Sequence, residues 1–324
     1  MKIVITGSLG HIGKPLTQEL MKKGHAVVVI SSKGEKQKEI ESLGATAAIG
    51  SIDDVDFLTK TFMGSDEVYT MLPPFKFMEN LNLDARAEAN RLSTNYVNAI
   101  KASGVKKVVH LSSVGAHLEK GNGLLAFHFV AEQIMNTLPA GIAITFMRPV
   151  GFYYNLYEFM DIINGKGFLE GFLGKIMTLR YYGLAALIQG KKGLILSNYG
   201  GKDMIPWVSP KDIAMAIADE LSTIFNGRKI RYVASEELTG YELATVLGDE
   251  IGKPYLKWEV ISDKQMLSGL KQFKIPDALA HDITEMNAGM HSGLVYEDYY
   301  KYKPVMGKVK IRDFAKEFAE AYKK

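Results

Sequence analysis

The chain has 324 residues and a formal net charge of +3, with 47% hydrophobic and 23% charged residues. This is an ordinary globular composition, which excludes disorder and fibrous repeats; at about 150 residues per domain it allows two units, or one unit with an elaborated lobe. The charge is too mild for a nucleic-acid footprint, and the absence of cysteine excludes disulfides, thiolate nucleophiles and cysteine-built zinc sites.

In chain order, β-branched runs alternate with helical patterns. Residues 2–6 read as a strand, 11–23 as a helix with Ile12, Leu16 and Leu20 at helical spacing, and 26–30 as a second strand. A helix over 34–43, a strand over 46–49, a helix over 55–62 behind Asp53-Asp54, and a strand over 67–72 stopped by Pro73-Pro74 follow. A long helix over 84–103 ends at Gly104, then come a strand over 107–111, a helix over 124–138 and a sixth strand over 142–147. Strands that are continuously apolar are covered on both faces, so the pattern predicts an α/β fold with a doubly wound parallel sheet.

The rhythm breaks after Met147-Arg148-Pro149. We assign 1–150 to a dinucleotide-binding domain and 151–324 to a smaller α+β lobe for substrate, with 205–221 returning to pack on the sheet. Further strands are expected over 230–234 and 257–261, a helix over 241–251, and a docked last helix carrying Ile311, Phe314, Ala315, Phe318, Ala319 and Tyr322 on one stripe. The longest charge-free apolar stretches, such as 181–190, fall far short of the ~20 residues of a membrane helix. The N-terminus turns glycine-rich too early for a signal peptide, so a cytoplasmic protein without membrane insertion is expected.

The strongest chemical signal is Gly7-Ser8-Leu9-Gly10-His11-Ile12-Gly13, between the first strand and first helix. Glycine permits the turn and a close backbone approach to a pyrophosphate, and the helix N–H groups point at that anion. An NAD site places an acid at the end of the second strand; here stand Ser31, Ser32 and Lys33. Hydroxyls and a cation suit a 2′-phosphate, so NADP(H) is favoured over NAD(H).

These glycines, the helix over 90–104 running into Val105–Ser113, His128 with Glu132, Arg148-Pro149 with Phe152 and Asn155, and the segment 206–214 resemble the NmrA-like group of atypical short-chain dehydrogenases/reductases. That group includes NAD(P)H:quinone oxidoreductases and redox sensors that bind NADP without turnover. The resemblance implies phosphate contacts from Gly7, Ser8, Gly10, His11, Ile12 and Gly13, a ribose site at Ser31–Lys33, and adenine flanked by Ser51 and Ile52. The family often has Asp where Ser51 stands. Met71, Leu72 and Pro73 would lie beneath the cofactor, with Ser112 ending the fifth strand and Pro149, Val150, Gly151 and Phe152 by the nicotinamide.

The wider superfamily uses Tyr-x-x-x-Lys after the fifth strand as its proton donor. Only Tyr299 and Lys303 have that spacing, far from the nucleotide-binding half, and we read the match as chance. The corresponding helix carries His128 and Glu132, at i and i+4 on one face, and the carboxylate is expected to keep His128 an imidazolium acid. Phe152, Tyr153 and Asn155 are the substrate candidates, within a segment also containing Tyr154, Tyr157, Phe159, Met160, Phe168, Phe172, Tyr181 and Tyr182 that suits a flat apolar ligand. No metal-ligand spacing is present.

The reading is an NADP(H)-dependent oxidoreductase passing hydride to a quinone-like or small carbonyl acceptor. The alternatives are a non-catalytic NADP(H) sensor and a nucleotide-sugar epimerase or dehydratase, the latter disfavoured by the absent tyrosine. Homodimerisation is left open.

Overall fold

A computed structural model describes residues 1–75, 80, 83–164, 180 and 193–323. The first half builds β1 (Lys2–Ile5), α1 (Gly13–Lys22), β2 (Ala26–Ser31), α2 (Gln37–Ser42), β3 (Thr46–Ile49), α3 (Val55–Phe62), β4 (Glu67–Met71), α4 (Ala85–Ser103), β5 (Lys107–Leu111), α5 (Ala126–Met135) and β6 (Ala143–Pro149). Local chemistry sets several boundaries. Asp54 caps α3 by accepting from the Phe57 amide, Asp84 caps α4, and Gly104 stops α4 in the left-handed region at φ +81°. The helix expected over 34–43 opens instead as a tight 3-10 turn before α2, and the one expected over 124–138 shortens to α5.

The second half builds β7 (Gly151–Phe152), α6 (Met160–Ile163), β8 (Leu194–Ser197), β9 (Met204–Val208), α7 (Pro210–Leu221), β10 (Arg228–Val233), β11 (Glu236–Thr239), α8 (Gly240–Glu250), β12 (Lys257–Val260), α9 (Asp263–Gln272), α10 (Asp277–His291), α11 (Glu297–Lys301) and α12 (Ile311–Tyr322). Phe168, Phe172, Tyr181 and Tyr182 lie outside the described residues.

The central sheet has seven parallel strands in the order β10-β6-β5-β4-β1-β2-β3. The order reverses between β1 and β4, and a crevice at such a switch point is where these sheets bind ligands. One strand more than the six expected in the first half is present. β10 pairs with β6 and forms the sheet edge, so the stretch assigned to the lobe contributes directly to the sheet. The alternation along β1 shows how both faces are covered. Ile3 and Ile5 join Leu16 and Leu20 of α1 and Ile213 and Ile217 of α7; Val4 joins Leu58, Leu92, Tyr96 and Met135 of α3, α4 and α5. α7 packs beside α1, where the Lys23 ammonium donates to the Ala218 carbonyl at 3.4 Å.

Candidate functional site

The glycine turn sits at the carboxyl end of β1. Gly7 takes φ +90° and Ser8 φ +53°. A Cβ on Gly7 would strike the Met71 sulfur, and one on Gly13 would collide with the Ser8 carbonyl oxygen. Both positions therefore demand glycine, one for conformation and contact, the other for contact alone. No side chain caps the N-terminus of α1, and its first turn carries no acid. An uncapped positive helix end beneath a bare backbone turn fits a dinucleotide pyrophosphate.

Around the turn, the Ser8 hydroxyl donates to Ser31 Oγ at 3.0 Å, and Ser31 Oγ accepts from the Lys33 amide at 3.2 Å. Ser31 is buried, so its hydroxyl braces the turn, while Ser32 and Lys33 are exposed beside it. Nearby Glu39 is held by Lys14 at 2.9 Å and Lys36 at 2.7 Å, and these ammonium groups keep its carboxyl below the usual range. Ser51 donates to Asp53 at 2.6 Å, Asp53 pairs with Arg91 at 2.6 Å, and the Ile52 carbonyl accepts from Asn95 at 3.3 Å. Met71 packs beneath Gly7 with its amide on Thr6 and its carbonyl on the Tyr96 hydroxyl; Leu72 is buried and Pro73 exposed. His11, one of the expected phosphate contacts, also stacks its ring on Tyr154 at 4.8 Å and 20°.

The remaining expected contact residues differ in burial. Ser112 is 2% exposed and donates to Glu132 at 2.6 Å, so its hydroxyl serves the interior. The Pro149 carbonyl accepts from Val114 and the Val150 amide donates to Val233, which commits both to the strands; Gly151 and Phe152 stay half-buried. Tyr153 is 1% exposed, its hydroxyl donating to Glu236 and its ring on Phe314, and it forms part of the wall of the cavity described below. Asn155 is exposed. A cavity of about 320 Å³ lies between the turn and the lobe, lined by His11, Lys14, Tyr154, Tyr157, Lys211 and Phe314 among others.

The expected His128–Glu132 pair does not form. Glu132 accepts from Arg148 Nε at 2.8 Å and Nη2 at 2.6 Å, and from Ser112. A guanidinium offers a carboxylate two charge-assisted bonds where an imidazole offers one. Arg148 extends this buried network to Asp298 at 2.8 Å and the Tyr232 hydroxyl at 3.1 Å. His128 instead packs on Phe127 at 4.1 Å, which meets Phe75 edge-on at 4.8 Å beyond the end of β4. Burial, with His110 nearby, pushes His128 down to about 3, so the ring is neutral at neutral pH. It can donate a hydrogen bond but is no imidazolium acid.

Tyr299 and Lys303 both bind Glu237, at 2.9 and 2.7 Å, and Tyr299 is fully buried. Tyr299 ties α11, and Lys303 the residues just after it, to β11. Sequence reasoning missed Thr70 and His110, which face each other across β4 and β5 with the Thr70 hydroxyl 2.9 Å from His110 Nδ1. The available signal was two polar residues at equivalent places in apolar strands.

A family model described as the NmrA-like family matches residues 1–312. An NAD(P)H azoreductase of Xenophilus azovorans is 21% identical over 287 residues, covering 88% of this chain and 86% of the relative. A structure of an NADPH-dependent quinone oxidoreductase from Escherichia coli complexed with NADPH superposes with TM-score 0.73 at 21% identity, covering 98% of this chain and 99% of that one. A triphenylmethane reductase of Citrobacter sp. superposes with TM-score 0.70 at 20% identity, covering 99% and 100%. With its parallel sheet, its glycine turn and a match over nearly its whole length, the chain belongs to the NmrA-like family.

Proposed function

We propose that the protein is an NADP(H)-dependent reductase that passes hydride to a quinone-like or small carbonyl acceptor. The observation that carries this reading is the bare glycine turn flanked by exposed Ser32 and Lys33, with the nearby Glu39 carboxylate engaged by two lysines. That edge suits a 2′-phosphate, which an NAD-type acid would repel. The named activities of the azoreductase and the quinone oxidoreductase agree with it.

When bound, the nicotinamide supplies the hydride. Gly7, Gly10 and Gly13 let the backbone hold the pyrophosphate, with Lys33 and Ser32 toward the 2′-phosphate. Gly151 and Phe152, beside Tyr154, give the apolar wall that excludes water. His128 offers the acceptor a hydrogen bond from a neutral ring. A quinone takes hydride with little acid help, so a neutral donor suffices; a ketone would gain more from an acid.

The test is titration with NADPH and NADH, followed by anaerobic NADPH oxidation with quinones, azo dyes and aldehydes. Tighter NADPH binding and turnover of one acceptor class support the reading; equal or tighter NADH binding, or no dinucleotide binding, sinks it. A second reading, a non-catalytic NADP(H) sensor, is kept open by the absence of a Tyr-x-x-x-Lys pair on α5, the chance match at Tyr299 and Lys303 being bonded to Glu237. Tight NADPH binding without turnover on any acceptor would select it.

A further inference from the structure

Within the turn, positive φ is confined to Gly7 and Ser8. His11 therefore sits on ordinary backbone, and its side chain is exposed. The turn's conformation does not call for a histidine there, and an exposed side chain gives up rotamer freedom only where a contact holds it. Its ring nevertheless stacks on Tyr154 at 4.8 Å and 20°. Tyr154 belongs to the 3-10 turn Tyr153–Phe159 that follows β7, and its ring meets Phe152 at 5.2 Å and 56°. The residues around it are anchored: the Tyr153 hydroxyl donates to Glu236, and Leu156 is fully buried. Tyr154 itself is half-buried and lines, with His11, the cavity of about 320 Å³, so its ring has room to turn.

Three rings thus run from the glycine turn to Phe152. An aromatic pair of this kind shifts an equilibrium by roughly 2- to 10-fold. A turn held by a bound anion fixes His11, His11 then favours one orientation of Tyr154, and Tyr154 sets the ring of Phe152. Such coupling is reciprocal, so a ligand that packs on Phe152 would tighten the hold on the dinucleotide by the same factor.

We propose that His11 and Tyr154 are positioning residues whose stack couples a dinucleotide pyrophosphate in the glycine turn to the Phe152 ring on the acceptor side. Neither side chain touches the reacting atoms. The acceptor end of the coupling rests on the reductase reading above; the link from the turn to Tyr154 needs only dinucleotide binding.

The experiment is 19F NMR on the full chain labelled with 3-fluorotyrosine, the Tyr154 signal being assigned through Tyr154→Phe. The probes are ADP-ribose and its 2′-phosphate, which carry the pyrophosphate without a nicotinamide that could touch Tyr154 directly. Saturation with the tighter of the two should move the Tyr154 signal. In His11→Ala the probe should still bind, within about 10-fold of the unmodified protein by calorimetry, and the Tyr154 signal should stay in place. His11→Phe, which restores a flat ring, should restore the movement. For a quinone that the protein reduces, KM should rise roughly 2- to 10-fold in His11→Ala at unchanged kcat and return in His11→Phe. A Tyr154 signal that ignores the bound probe, or that moves equally in His11→Ala, overturns the proposal and leaves the dinucleotide site standing. Loss of binding in His11→Ala, or an unchanged quinone KM, overturns it too, by making His11 a ligand contact or the stack mere packing. No binding of either probe to the unmodified protein overturns this proposal and the reductase reading together. His11 is exposed, so its substitution spares the core, and the unmodified protein alone decides whether Tyr154 responds.

Discussion

Arg148 grips Glu132 with two nitrogens, at 2.8 and 2.6 Å, and both side chains are about 95% buried. This pair joins α5 to β6, and through Asp298 and Tyr232 it reaches α11 and β10. Removing one partner of a buried pair costs about 3–5 kcal/mol, and without Glu132 the Arg148 guanidinium would fall back on Asp298 and lose its two-nitrogen grip. Glu132→Ala should therefore lower unfolding stability by that amount in a urea titration. A loss below about 1 kcal/mol would mean that the network is dispensable to the fold.

Gly13→Ala should abolish dinucleotide binding, because the new methyl group meets the Ser8 carbonyl oxygen and forces the turn open. A stability loss of about 1–3 kcal/mol should accompany it, as for other overpacked sites. Calorimetric titration and thermal unfolding read the two effects.

Lys33→Glu tests the cofactor edge. A charge-assisted hydrogen bond contributes about 1.5–3 kcal/mol, so NADPH affinity should fall by about 10- to 100-fold while NADH affinity holds or improves. An unchanged NADPH Kd would identify Lys33 as a solvated loop residue.

The pH dependence of stability follows from the buried histidines. His110 titrates at about 4 and His128 at about 3 in the folded chain, against about 6.5 when unfolded. Between those values the unfolded state binds more protons, so stability is full above about pH 6.5 and falls as the pH drops toward 4. Each histidine adds a slope of up to about 1.4 kcal/mol per pH unit. Urea midpoints measured from pH 7 to pH 4 should decline, and His110→Phe should flatten the decline; an equal slope in that variant would place the acid sensitivity elsewhere.

Tyr299→Phe should remove the bond to Glu237 at a cost of about 1 kcal/mol and leave NADPH-dependent turnover unchanged. A large loss of kcat at unchanged stability would restore the Tyr-x-x-x-Lys pair to the chemistry.

What was readable in advance was what neighbouring residues decide among themselves. The strands over 46–49 and 107–111 and the helices over 55–62 and 311–322 fall where their patterns place them, because β-branched runs, the Asp54 cap and an apolar stripe act within a few residues. The glycine turn was legible for the same reason: a positive φ at Gly7 and contact at Gly13 are requirements of a single turn. The identity of Glu132's partner was not. Spacing along α5 offered His128, but the fold brings Arg148 from β6 and Asp298 from α11, and two charge-assisted bonds outweigh one. Likewise only the assembled sheet could set β10 beside β6 and bury Ser112 and Tyr153. Sequence by itself determined the alternating elements and the phosphate turn; tertiary structure decided which charges meet and which rings stay neutral, because burial and pairing depend on residues far apart in the chain.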